Sequence, residues 1–220
     1  MVVIRSASAA DAVQIAAVMR ASWRAAYEGI IAPEIIDRVT APDGGIRVRQ
    51  SFRTRPWQKT IVAQTESPQE QDEIVGYAFF GPEQDVLGTP WPHPPSTAGQ
   101  QNRVAELYAL YVHPDWWSTG TGRALMDRVL ATVSAAGYLS VRLWVLRDNS
   151  RARRFYERVG FAPDGAIHAL EGLGGVTEIR YRRSLPVAAG SSRVATARSV
   201  KLAPLTQGGR DGDFGACQAD

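Results

Sequence analysis

Two glycines, Gly120 and Gly122, sit in a turn between an apolar run and an amphipathic one. The apolar run, Val104 to Val112, has the make-up of a strand and stops at Pro114. Past the turn, Arg123, Ala124 and Leu125 open a helical pattern. Glycine lets the backbone turn sharply and lets a bulky group approach main-chain N–H donors with no Cβ in the way. A helix that starts at such a turn offers unpaired N–H groups and the positive end of its dipole to an anion. A phosphate or pyrophosphate is the simplest ligand for that geometry. Alone the turn says little, because Gly-x-Gly turns open helices in α/β proteins of many kinds.

A second segment follows about one strand later. Ser140 to Leu146 alternates Val141, Leu143 and Val145 with Arg142 and Trp144, a strand pattern. Arg147, Asp148, Asn149 and Ser150 form a helix-start signal. Ala152, Phe155, Tyr156 and Val159 then recur at helical spacing, and Gly160 suits a left-handed C-cap. Asn149 and Tyr156, about two turns apart, are placed to project from one end and side of this helix.

Together the two segments resemble the GNAT superfamily of acyl-CoA N-acyltransferases. Its signature is a strand, a pyrophosphate loop (Gln/Arg)-x-x-Gly-x-(Gly/Ala) opening a helix, a second strand, then Asn-x-x-Ala-x-x-Phe-Tyr-x-x-x-Gly-Phe. Gly120 and Gly122 match the loop glycines; Asn149, Phe155, Tyr156, Gly160 and Phe161 match the second motif. Ala152 falls one place off the commonest alanine position. Trp117 stands where the family usually has Gln or Arg, which removes a side-chain role there and leaves a backbone one. The fold this implies is α/β (α+β): a mixed, mostly antiparallel central sheet flanked by helices, whose two parallel central strands splay apart.

The resemblance also implies a reaction, direct transfer of an acyl group from acetyl-CoA to a primary amine of a small molecule or peptide. Backbone groups of Leu110, Tyr111 and Val112 would hold pantetheine, with a bulge there turning an N–H toward the thioester carbonyl. The amides of Ser118, Gly120, Thr121, Gly122, Arg123 and Ala124 would cradle the pyrophosphate. Tyr156 matches the family's usual proton donor to the departing thiolate; the competing reading is that Phe155 and Tyr156 only anchor the helix in the core. Asn149 is expected to touch the cofactor and cap its helix, roles that are compatible. Glu106, placed by alternation on the face of Tyr108 and Leu110, is the candidate base, since a carboxylate beside an apolar wedge has its pKa raised. A surface carboxylate at the sheet's edge is the alternative. Trp23 and Tyr27, four apart on the first helix, either line the acceptor pocket or pack in the core.

The rest of the chain bounds these expectations. Its 220 residues fit one domain, taken as 1–186 with a proline-rich loop insertion at 81–103, and a compositionally disordered tail at 187–220. Net charge of +3, without a dense basic tract, argues against nucleic acid. The single cysteine, Cys217, excludes a disulfide framework and a credible catalytic thiol. His93 and His168, read as loop residues, lack the spacing of metal ligands, so no metal is expected. His113, beside Pro114, reads as a turn residue. No signal peptide or spanning segment is visible, which places the protein in the cytoplasm, off the membrane; a homodimer stays open. Ser8 and Asp11 form a capping box before a helix bearing Val13, Ile15, Ala16, Val18 and Met19 on its apolar side. Gly44 and Gly45 are expected to break the pattern before a helical piece at Ile46 to Phe52. Two rival classes remain: a non-catalytic acyl-CoA-binding module on the same fold, and a dinucleotide-binding oxidoreductase. The latter lacks its third glycine, Leu125 standing there.

Overall fold

The computed structural model describes residues 1–66, 72–84 and 103–186. Most of the expected insertion and the whole expected tail lie outside the described residues, as do His93 and Cys217. Strand β1 (Val2–Ser6) runs into the capping box: Ser8 N–H donates to Asp11 Oδ2 at 2.7 Å, and Ser8 Oγ accepts from Ala10 N–H. Helices α1 (Ala12–Tyr27), α2 (Pro33–Val39) and α3 (Gly44–Thr54) follow. Then come β2 (Lys59–Thr65), β3 (Ile74–Pro82), β4 (Val104–Val112), α4 (Thr121–Ala135), β5 (Ser140–Leu146), α5 (Ser150–Arg158), β6 (Ala162–Leu170) and β7 (Val176–Ser184).

The seven strands form one sheet in the order β1-β2-β3-β4-β5-β7-β6, antiparallel except for the central pair β4 and β5. The chain reaches β5 from β4 by the α4 crossover that a parallel neighbour requires. On one face Leu125, Met126, Val129 and Val133 of α4 bury against Ala78, Phe80, Leu107 and Val141. On the other, Ile15 and Val18 of α1 and Val48 of α3 bury against Val62, Tyr77 and Phe79.

Three local expectations are corrected. Val13 is 62% exposed, because the buried line of α1 is Ala12, Ile15, Ala16, Val18 and Ser22, one step round the helix. Gly44 and Gly45 do not break a helix but open α3, and a Cβ on Gly44 would stand 3.4 Å from Ala16 Cβ; the glycine permits close packing on α1. His168 lies not in a loop but in β6, opposite Glu178 of β7.

The central pair carries the feature that matters most. β4 and β5 pair only from Val104 to Leu107 against Ser140 to Leu143; beyond that they part. On its other side β4 stays with β3 to Val112, through a register shift that leaves Tyr108 without an opposite number, since Phe79 faces Ala109 and Phe80 faces Leu107. That bulge lies two residues before the expected place. It inverts the alternation of side chains, so Glu106 shares a face with Tyr108 and not with Leu110, which packs on the α4 side.

Where β3 supports the end of β4, Gly76 has no room to spare. A Cβ there would sit 3.1 Å from the Tyr111 carbonyl oxygen and 3.0 Å from Leu125 Cδ1. Gly76→Ala is expected to destabilise the protein by about 1–3 kcal/mol through overpacking, because the backbone oxygen has nowhere to go. A urea midpoint equal to that of the unsubstituted protein counts against it.

Candidate active site

The gap between β4 and β5 opens into a cleft of about 1840 Å³ that reaches both faces of the sheet, with Trp23 and Tyr27 on one side and Gly122 and Tyr156 on the other. His113 N–H bonds Val75 O at 2.8 Å, which fixes the phase of β4. Strand alternation then points the N–H and C=O of Tyr111 at β3, and those of Leu110 and Val112 toward the gap. Of the three residues expected to offer backbone groups, Tyr111 therefore does not. The Val112 carbonyl is also engaged, accepting from Ser22 Oγ and Trp117 Nε1, each at 2.8 Å. Leu110 and the Val112 N–H remain.

The glycine turn is formed as expected, with differences in detail. A short helical turn at Pro114–Trp116 is capped by His113, whose Nδ1 accepts from Asp115 N–H. Ser118 and Gly120 take positive φ (66° and 94°), and Gly120 caps α4. Ala124 N–H already bonds Gly120 O at 3.0 Å as the helix's own first bond, so Ala124 drops out of the expected cradle. The N–H groups of Thr121, Gly122 and Arg123, ahead of that first bond, are the donors the helix leaves over. A Cβ on Gly120 would meet nothing within 4 Å, whereas one on Gly122 would touch the Phe155 ring at 3.6 Å and Val112 Cγ2 at 3.7 Å. Open space for a ligand thus adjoins Gly120, whereas a Cβ on Gly122 would make ordinary contacts with α5 and β4.

Trp117 departs from the family pattern but has work of its own. Its indole N–H closes on Val112, and Arg151 lies over its ring at 4.0 Å, with Nη2 3.5 Å from Ser118 Oγ. The cation that the usual Gln/Arg position lacks is brought in from the start of α5. Arg151 escaped the sequence reading because nothing in its spacing signals a partner 34 positions earlier. Arg123 instead pairs with Asp127 along α4.

Helix α5 places two expected site residues. Asn149 Oδ1 accepts from Ala152 N–H at 3.0 Å, so its capping role is seen directly. Tyr156 is buried among Phe155, Phe161 and Val159 and also lines the cleft, which makes the anchoring and site readings compatible. Burial pushes its hydroxyl well above the usual phenol range. Strand β7 fixes the helix: Tyr181 Oη donates to Glu157 at 2.9 Å and accepts from Arg153 Nε at 3.1 Å, while Arg183 donates to the Val159 carbonyl.

On the opposite face Glu106 is 9% exposed rather than at a sheet edge. Its Oε2 accepts from Arg142 Nη2 at 2.9 Å, Arg142 Nε at 3.1 Å and Gln84 N–H at 2.9 Å, and Arg142 also pairs with Glu83. Burial pushes the Glu106 carboxyl up; the Arg142 charge and the Gln84 N–H pull against it, and burial prevails. Trp23 and Tyr27 pack edge to face, with Tyr27 Oη 3.1 Å from Tyr111 Oη. Tyr111 itself is among the residues that line the cleft.

A gap between parallel strands that bares β-backbone thus lies beside the N–H groups that α4 leaves over. In comparison with known proteins, residues 23–161 match the model of the acetyltransferase (GNAT) family. The chain belongs to that family. It is 30% identical over 189 residues to a probable N-acetyltransferase of Mycobacterium tuberculosis, covering 83% of this chain and 95% of that one. Over a shorter stretch of 88 residues it is 40% identical to a mycothiol acetyltransferase of Beutenbergia cavernae, covering 40% of this chain and 28% of that one. Among solved structures, the PaiA N-acetyltransferase of Thermoplasma acidophilum in complex with coenzyme A superposes with a TM-score of 0.60 at 20% identity, covering 84% of this chain and 99% of that one. That likeness speaks for the fold. None of the described helices is long and apolar enough to cross a membrane.

Arg142 is the counter-charge for two acids at once. Arg142→Met is expected to destabilise by about 3–5 kcal/mol, since Glu106 stays buried without its cation. Adding Glu106→Gln should recover much of the loss. Additive effects in a denaturant double-mutant cycle would mean the pair is not coupled.

Proposed function

We propose that the protein transfers the acetyl group of acetyl-CoA directly to a primary amine of a small molecule or peptide. The observation that carries this reading is the parting of β4 and β5 beside the Gly120 turn, with Tyr156 lining the same cleft. The left-over N–H groups of Thr121, Gly122 and Arg123, with Arg151 over Trp117, suit a pyrophosphate at the start of a fifteen-residue helix. Leu110 and the Val112 N–H suit the amides of a pantetheine arm in the gap.

Acyl transfer to an amine needs a proton removed from the amine, charge stabilised on the thioester oxygen, and a proton for the leaving thiolate. Tyr156 serves the last need: a phenol with a strongly raised pKa keeps its proton until a strong base forms beside it. Glu106 serves the first, as a desolvated carboxylate on β4 just before the bulge, held in place by Arg142. Trp23 and Tyr27 form the wall on the acceptor side.

Calorimetric titration with CoA and thiol-release assays against an amine panel test the reading. Gly120→Val should weaken CoA binding by roughly tenfold or more, because it puts a branched chain in the open space of the cradle at a positive φ. Tyr156→Phe should lower kcat by roughly 10²–10⁴-fold with CoA affinity nearly intact. Glu106→Gln should abolish the rise of rate with pH that follows carboxylate ionisation, with partial recovery at high pH where the amine is already neutral. Binding of CoA without thiol release for any amine would instead make the protein a non-catalytic acyl-CoA-binding module.

A further inference from the structure

The hydrogen bond between Tyr27 and Tyr111 has no part in the scheme above, where Tyr27 serves only as wall. Their hydroxyl oxygens lie 3.1 Å apart, so one donates to the other and one O–H proton remains for a third partner. Tyr111 belongs to β4 between Leu110 and Val112, the residues whose backbone turns to the gap, whereas Tyr27 stands behind it on α1. The position is well fixed. Tyr111 is wedged between Tyr77 at 5.7 Å and Trp23 at 6.5 Å between ring centres, and Ser22, one residue from Trp23, is bonded to the carbonyl of Val112. The buried Trp23 N–H is turned to the same Tyr111 hydroxyl, which it helps to hold.

We propose that Tyr111, fed by Tyr27, is a second hydroxyl donor to the departing CoA thiolate, beside Tyr156. This rests on the acetyl-CoA reading above. As the C–S bond breaks, sulfur keeps the bonding pair and takes one proton. A proton given up by Tyr111 is restored from Tyr27, and that of Tyr27 from solvent, while the protons shed by the amine leave on the acceptor side. Counted from the ammonium form, the nitrogen sheds two protons and the sulfur takes up one, a net release of one per turnover.

The electrostatics point the same way. The titratable groups facing Tyr111 are phenols: Tyr27 from α1, Tyr77 from β3 and Tyr156 from α5. Burial pushes the Tyr111 hydroxyl up, while the Tyr27 O–H and the Trp23 N–H dipole pull it back by favouring its phenolate. Tyr27 has the reverse balance, since burial and its Tyr111 partner both drive it upward. The proposal takes the donor sense Tyr27 to Tyr111, which leaves the outward proton on Tyr111.

The test needs no acceptor amine. Ionisation of the thiol of bound CoA is followed by thiolate absorbance against pH, with CoA affinity measured alongside. In the unsubstituted complex the bound thiol should ionise at lower pH than free CoA. Tyr111→Phe, which keeps the ring and its packing, should move that ionisation up by roughly 1–2 pH units, as expected for one lost hydrogen bond to a charged group. Tyr27→Phe should move it by less, and the CoA dissociation constant should hold in both. A merely structural role would alter affinity or thermal midpoint and leave the titration in place. Identical titrations for the Tyr111→Phe and unsubstituted complexes, or a bound thiol that ionises like free CoA, overturn the proposal while CoA binding stands. Failure of the unsubstituted protein to bind CoA overturns the acetyl-CoA reading and this proposal with it.

Discussion

The parting of β4 and β5 governs the rest of this structure. A parallel pair that stops at Leu107 and Leu143 leaves later β4 backbone groups without a strand to satisfy them, in the middle of a sheet where such vacancies are costly. The molecule holds the gap open from both sides. The Tyr108 bulge keeps β4 on β3 while turning its phase, and β5 stays with β7 along its whole length, from Ser140 to Leu146. Helix α5, tied to β7 through Tyr181 and Arg183, follows β5 rather than β4. A ligand that brings its own amides into the gap completes the interrupted ladder, which is why an extended carrier arm is the natural occupant.

The chain's own pattern made much of this legible. The apolar run Val104 to Val112 and the alternation from Ser140 to Leu146 marked the central strands, and the two glycines with Asn149, Tyr156 and Gly160 marked the loop, the cap and the helix end. The sequence failed where tertiary contact overrides a local sign. Gly44 looks like a break but is a packing site against Ala16. Alternation predicted the face of Leu110 wrongly because one bulged residue, invisible to periodicity, reverses every side chain after it. Ala124 and Tyr111 were expected among the backbone donors, yet helix and ladder bonds claim their main-chain groups first. Glu106 was legible as a carboxylate near the gap; its Arg142 partner, 36 positions on, was not.

Charge in the site is arranged by compensation rather than by a basic tract. Arg142 offsets Glu106 and Glu83 on the acceptor side, and Arg123 is matched by Asp127. Arg151 is different, because its neighbours on the loop side are an indole face and a serine hydroxyl, which leave a guanidinium's capacity for a phosphate largely intact. A chain with a net charge of only +3 can in this way concentrate positive potential at one turn.

The carbonyl of Val112 is shared by Ser22, from the helix that walls the acceptor side, and by Trp117, from the phosphate turn. One oxygen thus couples the two halves of the site mechanically. Any drift of α1 would therefore be felt at the turn that opens α4. In this architecture the helix on one face of the sheet and the turn on the other meet at a single hydrogen-bonded atom.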